Sequence, residues 1–270
     1  MSFDFLQAGF LAVLQGVTEF LPISSSGHLI LPAALLGWQD QGLVFDVAVH
    51  VGSLVAVITY FRSRIIELVT AWARSLVQGE TTGDSKTAWL LLIATVPAGL
   101  AGLLLGGFVD QYARSTLLIA TTSIVFALLL YAADRRAVIH TELDGLQVRT
   151  ALLIGFAQVL ALIPGTSRSG ITMTAGRFVG LSRHAASQFS FLLAIPIIAA
   201  SGLLKTVELL LQDTSSGQWV LLAYSLLVSA LVSYLCIHYF LRFIDRVGFL
   251  PFVIYRVLLG VVLFAIYGFL

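Results

Sequence analysis

Charge is what this sequence is shortest of. Only 11% of its 270 residues are Asp, Glu, Lys or Arg, against about 25% in a soluble globular domain. The formal net charge is +1, so no basic surface points to a nucleic-acid partner. The single cysteine, Cys236, excludes an intramolecular disulfide and leaves the redox compartment open. No GxxxxGK[ST] run, no HExxH and no Cys/His metal spacing is present, which removes the usual signatures of nucleotide hydrolysis and zinc catalysis. The opening residues, MSFD, lack the basic region of a cleaved signal peptide, so the N-terminus is expected to stay on the protein. What the chain has in excess is apolar surface: 59% hydrophobic residues and a mean hydropathy of +0.98. Those runs have helical length and period, not the ten-residue alternation of a β-barrel. The chain reads as an all-α polytopic membrane protein.

Six runs are long enough to cross about 30 Å of hydrocarbon: 45–61, 88–107, 115–133, 185–204, 219–241 and 249–269. The first is short for a span and must stand nearly upright. Two more apolar regions are interrupted, 5–36 at Pro22 to Gly27 and 150–181 at Pro164 to Gly170. Each half is too short to span, so both read as re-entrant helical hairpins that enter and leave by one face. With the hairpins returning to their own side, Arg62, Arg64, Arg74, Lys86, Arg135, Arg136, Arg149, Arg183, Arg242 and Arg246 fall in cytoplasmic loops, and only Arg114 and Lys205 fall outside. That asymmetry obeys the positive-inside rule and places both termini outside. Each half then holds one hairpin and three spans in opposite orientation. The result is an inverted-topology repeat of 1–133 and 147–270 within a single membrane domain. Gln15 to Gly27 aligns without gaps on Gln158 to Gly170, matching Gln with Gln and SSSG with SRSG. In such repeats the site lies at the repeat interface near the midplane. Residues 64–78 read as an amphipathic interfacial helix anchored by Trp72.

Polar groups at membrane depth are expensive and mark a functional site by default. Leu14 to His28 reads LQGVTEFLPISSSGH. Gln15 and Glu19 share a helix face, one turn before Pro22. Ser24, Ser25, Ser26 and Gly27 then open a helix whose free N–H groups and dipole suit an anion. His28 follows within one turn, which brings it beside the hydroxyl of Ser24 or Ser25. The second break supplies a permanent cation, Arg168, within Ser167, Ser169, Gly170 and Thr172. Its guanidinium fork suits phosphate oxygens. A plain structural alternative is an Arg168–Glu19 pair that ties the hairpins together. Arg177 and Arg183 are expected at the cytoplasmic interface. Together the two stretches offer serine nucleophiles, a carboxylate and a histidine for proton transfer, and positive charge for a phosphate. Phosphoryl transfer needs little more than positioning and charge neutralisation. A phosphatase acting on a lipid therefore fits best, with a lipid-phosphate transporter or flippase as the rival reading.

QGVTEFLPISSSGH and PGTSRSGIT resemble the two signature motifs, (E/Q)xxxE-FLP-(V/I)SSxGH and PGxSRSxxT, of the bacterial undecaprenyl-diphosphate phosphatase family, also called the bacitracin-resistance protein family. The likeness runs over the whole chain, including ASQFSFLLAIP at 186–196 and FLPFVIYR at 249–256. It implies removal of the terminal phosphate of C55-isoprenyl diphosphate to regenerate the lipid carrier of cell-wall synthesis. It also implies a divalent cation, Mg²⁺ or Ca²⁺, a bacterial cytoplasmic membrane, and a site opening to the external side. By position, Ser25 matches the proposed nucleophile, Glu19 the second acidic residue of the first motif, and His28 and Arg168 the other catalytic groups. Gln15, Ser24, Ser26, Gly27, Ser167, Ser169, Gly170 and Thr172 are the expected substrate-binding set. Glu19 is the expected metal ligand; Gln15 stands where many members carry Glu, which puts a two-carboxylate metal site in doubt. The implied partners are a polyprenyl diphosphate and membrane lipids, with a homodimer as a candidate assembly.

Overall fold

A computed structural model describes residues 5–38, 41–79, 81, 83–112, 115–136, 141–210 and 216–268. Eleven α-helices account for most of them: α1 Phe5–Thr18, α2 Ser25–Leu36, α3 Gly42–Tyr60, α4 Arg62–Gln78, α5 Gly83–Tyr112, α6 Thr116–Arg136, α7 Val148–Val159, α8 Arg168–Phe178, α9 Arg183–Leu210, α10 Ser216–Val247 and α11 Leu250–Tyr267. Among the described residues there is no strand beyond one isolated bridge, Thr141 to Leu181. Helices α5, α6, α9, α10 and α11 are each long and apolar enough to cross a membrane. A sixth span exists if α3 and α4, bent by 79° to each other, count as one. Helix α4 buries Leu68 and Ser75 and leaves Ile66, Val69, Leu76 and Val77 exposed. The chain is thus a multi-pass membrane protein.

Helices α1, α2, α7 and α8 have 14, 12, 12 and 11 residues. At 1.5 Å per residue none exceeds about 21 Å, well short of the hydrocarbon thickness. Both breaks lie slightly earlier than the sequence places them. α1 stops at Thr18 and α2 resumes at Ser25; α7 stops at Val159 and, after a 3₁₀ turn at Leu160–Leu162, α8 resumes at Arg168. Gly27 and Gly170 therefore lie inside a first helical turn, and the serines Ser24 and Ser167 are the N-caps.

Packing between helices follows the small-residue logic of membrane interiors, where close approach replaces the hydrophobic effect. Gly52 of α3 lies directly on the Leu226 carbonyl of α10. Beside it, Ser53 Oγ meets Ser233 Oγ at 3.0 Å and Ser229 Oγ at 3.3 Å, while Ser229 donates to the Val49 carbonyl at 2.7 Å. Gly155 of α7 rests on the Ala94 carbonyl of α5, and Gly260 of α11 on the Ala120 carbonyl of α6. At one end of the bundle Arg183 donates to both carboxylate oxygens of Asp134, each at 2.8 Å. It also reaches the Asp245 carbonyl at 3.5 Å. The start of α9 is thereby tied to the ends of α6 and α10. Arg177, expected at an interface, is buried and donates to Asp134 Oδ1 at 3.1 Å.

Candidate functional site

Both breaks use the same unusual backbone. Ser24 has φ +75° and Ser167 φ +72°, the two non-glycine residues with positive φ among those described. L-residues seldom occupy that region, and holding one there costs about 1–3 kcal/mol. In each case the hydroxyl accepts the N–H of the glycine three residues on, Gly27 at 3.3 Å and Gly170 at 3.0 Å. Each also meets the hydroxyl two residues on, Ser26 at 3.4 Å and Ser169 at 3.1 Å. A side chain at Gly27 would press on Ile119 Cγ2 at 3.3 Å, and one at Gly170 on Arg256 Nη1 at 3.0 Å. A side chain at either position would therefore have to push a close neighbour aside by a few tenths of an ångström.

The first residue of each helix after its cap carries the reactive group, Ser25 in α2 and Arg168 in α8. They converge on Glu19, which lies in the first break and is 6% exposed. Ser25 donates to Glu19 Oε2 at 2.7 Å, Gln15 donates to the same oxygen at 3.0 Å, and Arg168 Nη2 pairs with Oε1 at 3.3 Å. The second nitrogen of the Arg168 fork, Nη1, donates to the Ser190 carbonyl of α9 at 3.0 Å. The Arg168–Glu19 pair is present, then, and Ser25 is drawn into it. Ser25 is half-buried and Ser26 exposed, whereas Ser24 and Glu19 are buried.

Other expected residues fall in supporting positions. His28 Nδ1 faces the Ser24 carbonyl oxygen at 2.7 Å and Nε2 faces the Tyr255 hydroxyl at 2.6 Å. A carbonyl only accepts, so Nδ1 carries the proton. The expectation that one turn would bring His28 beside a serine hydroxyl is therefore corrected: it meets the backbone oxygen of Ser24 and leaves no nitrogen for Ser25. Ser169 donates to the Leu21 carbonyl of the opposite break at 2.8 Å. Thr172 bonds Ser190 Oγ at 2.7 Å and is buried. Both stitch elements together and do not open to an incoming ligand.

Three groups escaped the sequence reading. His50 of α3 places Nε2 3.8 Å from Glu19 Oε2 and is oriented through Nδ1 by the Asp46 carbonyl at 2.7 Å. Tyr255 of α11 stacks on and bonds His28. Arg256, its neighbour, is fully buried and donates to Pro22 O at 3.2 Å, Gly165 O at 2.8 Å and Thr166 O at 2.9 Å. It therefore bridges the two breaks. His50 and Arg256 lie in apolar helices, where a His or Arg at depth is itself a flag; Tyr255 carries no such signal.

For a divalent cation the two breaks offer one carboxylate, Glu19. Among the described residues no group of three or more His, Cys, Asp or Glu could hold a metal ion. Gln15 Oε1 is a buried oxygen with no protein partner, and it lies on the same side chain that bonds Glu19. Mg²⁺ keeps several waters and takes the rest of its shell from one or two carboxylates and substrate phosphates. The donor set fits an ion shared with substrate and does not fit an all-protein cage.

Fold and site together define an integral membrane protein with a polar centre suited to an anion, built where two interrupted helix pairs meet. Residues 8–262 match the family model described as bacitracin resistance protein BacA, and the chain belongs to that family. It is 54% identical over 266 residues to an undecaprenyl-diphosphatase of Saccharophagus degradans, covering 98% of this chain and 99% of the relative. It is also 55% identical over 253 residues to one of Alteromonas mediterranea (94% and 95% covered) and 54% over 250 residues to one of Hahella chejuensis (93% of each).

Proposed function

We propose that this chain is an undecaprenyl-diphosphatase. It hydrolyses undecaprenyl diphosphate to undecaprenyl phosphate and inorganic phosphate, which recycles the lipid carrier for peptidoglycan synthesis and confers bacitracin resistance. The observation that carries the site assignment is the Ser25 hydroxyl held 2.7 Å from a buried carboxylate that is itself paired with Arg168. Serine is activated by an adjacent base, and of the two bases considered Glu19, not His28, touches it. In the proposed first step Ser25 Oγ bonds to the terminal phosphorus, its proton passes to Glu19, and the P–O bond to undecaprenyl phosphate breaks. Water then cleaves the phosphoserine, releasing inorganic phosphate and restoring the hydroxyl. Arg168 and the positive N-terminal ends of α2 and α8 take up the developing negative charge. His28, oriented by Tyr255, holds the Ser24 turn. Glu19 and Gln15 would hold a Mg²⁺ or Ca²⁺, which supplies further phosphate charge neutralisation when bound.

The reading includes an inverted repeat of residues 1–133 and 147–270, with 5–36 and 150–181 as re-entrant hairpins. Its support is the shared cap geometry at aligned positions and the shortness of α1, α2, α7 and α8. The distribution of lysine and arginine favours both termini external, and the resemblance favours a bacterial cytoplasmic membrane with access from the outer side. The transporter alternative has no comparable support, since the relatives carry diphosphatase names.

Phosphate release from farnesyl or undecaprenyl diphosphate by detergent-purified protein, with and without chelator, tests the reading. Wild type should release phosphate and Ser25→Ala should lose at least about 10³-fold in rate. A Ser25→Ala enzyme at wild-type rate would remove Ser25 from the nucleophile's place and favour direct attack by water. Chelator without effect would remove the metal.

A further inference from the structure

Arg256 is an arginine about two turns into a helix long and apolar enough to span a membrane, and none of the ion pairs among the described residues includes it. Its two terminal nitrogens end on three backbone carbonyls: one in the first break, at Pro22, and two in the second, at Gly165 and Thr166. Breaks in a helix at membrane depth free such carbonyls, and something must satisfy them. A neutral amide would do that at far less cost than a guanidinium, whose burial without a counter-ion is strongly unfavourable. The choice of a cation therefore calls for an anion that arrives. The charge count agrees. Glu19 matches Arg168, while no acid among the described residues pairs with Arg256, so Arg168, Arg256 and Glu19 together leave one positive charge at the breaks. That charge also lies against the first turn of α8: a Cβ on Gly170 would stand 3.0 Å from Arg256 Nη1, beside the Ser167 cap. This is the positive end of the α8 dipole, so the two fields add.

We propose that Arg256 is a positioning residue for phosphate hydrolysis. It clamps the two breaks at a fixed spacing, and its uncompensated charge supports the binding of the terminal phosphate from behind the α8 cap. The inference rests on the assignment of the breaks as the diphosphate site. A purely structural role would require only donors to the three carbonyls; the proposed role requires the charge as well.

The two separate by substitution. Arg256→Lys keeps the charge but loses the fork, and Arg256→Gln keeps a donor but loses the charge. Steady-state release from farnesyl diphosphate, inhibition by inorganic phosphate and thermal unfolding are measured on wild type and both variants in the same detergent. Arg256→Lys should retain about a tenth or more of wild-type kcat/KM. Arg256→Gln should lose about 10²-fold, chiefly as higher KM and weaker phosphate inhibition, at an unfolding midpoint close to that of the lysine variant. A folded Gln variant with the kinetics and phosphate inhibition of the lysine variant overturns the charge role. Should neither fold, Gly170→Ala displaces the Arg256 head without removing it, read against Ser167→Ala as the control for the cap that the same Cβ meets at 3.0 Å. Weaker phosphate inhibition by about tenfold supports the proposal, and wild-type inhibition overturns it. Wild type that releases no phosphate would instead overturn the assignment of the site, so the two failures are distinct.

Discussion

The two breaks have one backbone and two chemistries. At Ser24 and Ser167 the same positive-φ serine caps a helix through the N–H of a glycine three residues later. At the next position the first break presents a hydroxyl, Ser25, and the second a guanidinium, Arg168. Glu19 and His28 belong to the first break, and their aligned partners in the second are Leu162 and Ile171. The division has an electrostatic reason. An acid and an arginine on one short break would pair locally and leave the hairpins independent. Placed on opposite breaks, they pair across the interface, so the ion pair both assembles the site and holds charge where the breaks meet. Neither break is a site by itself.

The sharpest way to break this comparison is to remove the carboxylate that the two breaks share. Glu19→Gln takes the base from Ser25 and the counter-ion from a buried Arg168. Phosphate release should fall by at least about 10³-fold. Breaking a buried pair from one side also costs about 3–5 kcal/mol, so thermal unfolding in detergent should shift down measurably. Unchanged stability would mean that Arg168 finds another partner, and that the interface does not depend on the pair. Next in size is Arg168→Lys. The lysine keeps the charge but cannot span Glu19 and the Ser190 carbonyl together, as Nη2 and Nη1 do. A loss of about 10²-fold in kcat/KM is expected. Near-normal kinetics would reduce Arg168 to a point charge.

How far the sequence alone led can be judged from these residues. Five of the six spans, the two breaks and the pairing of Glu19 with Arg168 were legible, because charge at depth demands a partner and only a few candidates existed; the span expected at 45–61 is instead half of the bent pair α3 and α4. The role of His28 was not. Helical spacing places it one turn from two serine hydroxyls, but it cannot reveal that a backbone carbonyl and a tyrosine 227 positions away occupy both nitrogens. Arg256 was hidden for a related reason. A single arginine barely lowers the hydropathy of an 18-residue span, and its acceptors are main-chain atoms, which leave no trace in residue identity. Arg256 ends the shared stretch FLPFVIYR, but its contacts to distant backbone cannot be read from that stretch.

Tyr255 sharpens the contrast between His28 and its apolar counterpart Ile171. Tyr255→Phe removes one hydrogen bond to a buried imidazole, worth about 1 kcal/mol. Since His28 orients the turn and does not touch Ser25, activity should fall by no more than about tenfold. A loss comparable to Ser25→Ala, measured by phosphate release, would return His28 to the proton-transfer chain.

The smallest effects test whether the two caps are the same device. Ser24 and Ser167 each combine a favourable cap with an unfavourable φ. Glycine loses the cap hydrogen bond but relieves the strain, so Ser24→Gly and Ser167→Gly should each change stability by less than about 1 kcal/mol. Alanine loses the bond and keeps the strain, and should cost about 1–2 kcal/mol at either position. The pattern, alanine worse than glycine at both sites and by similar amounts, follows from φ values of +75° and +72° with matching acceptors. Thermal unfolding of the four variants measures it. A cost at one serine only would show that the caps differ in energy despite their shared geometry, with one hairpin held by its own turn and the other by the contacts around it.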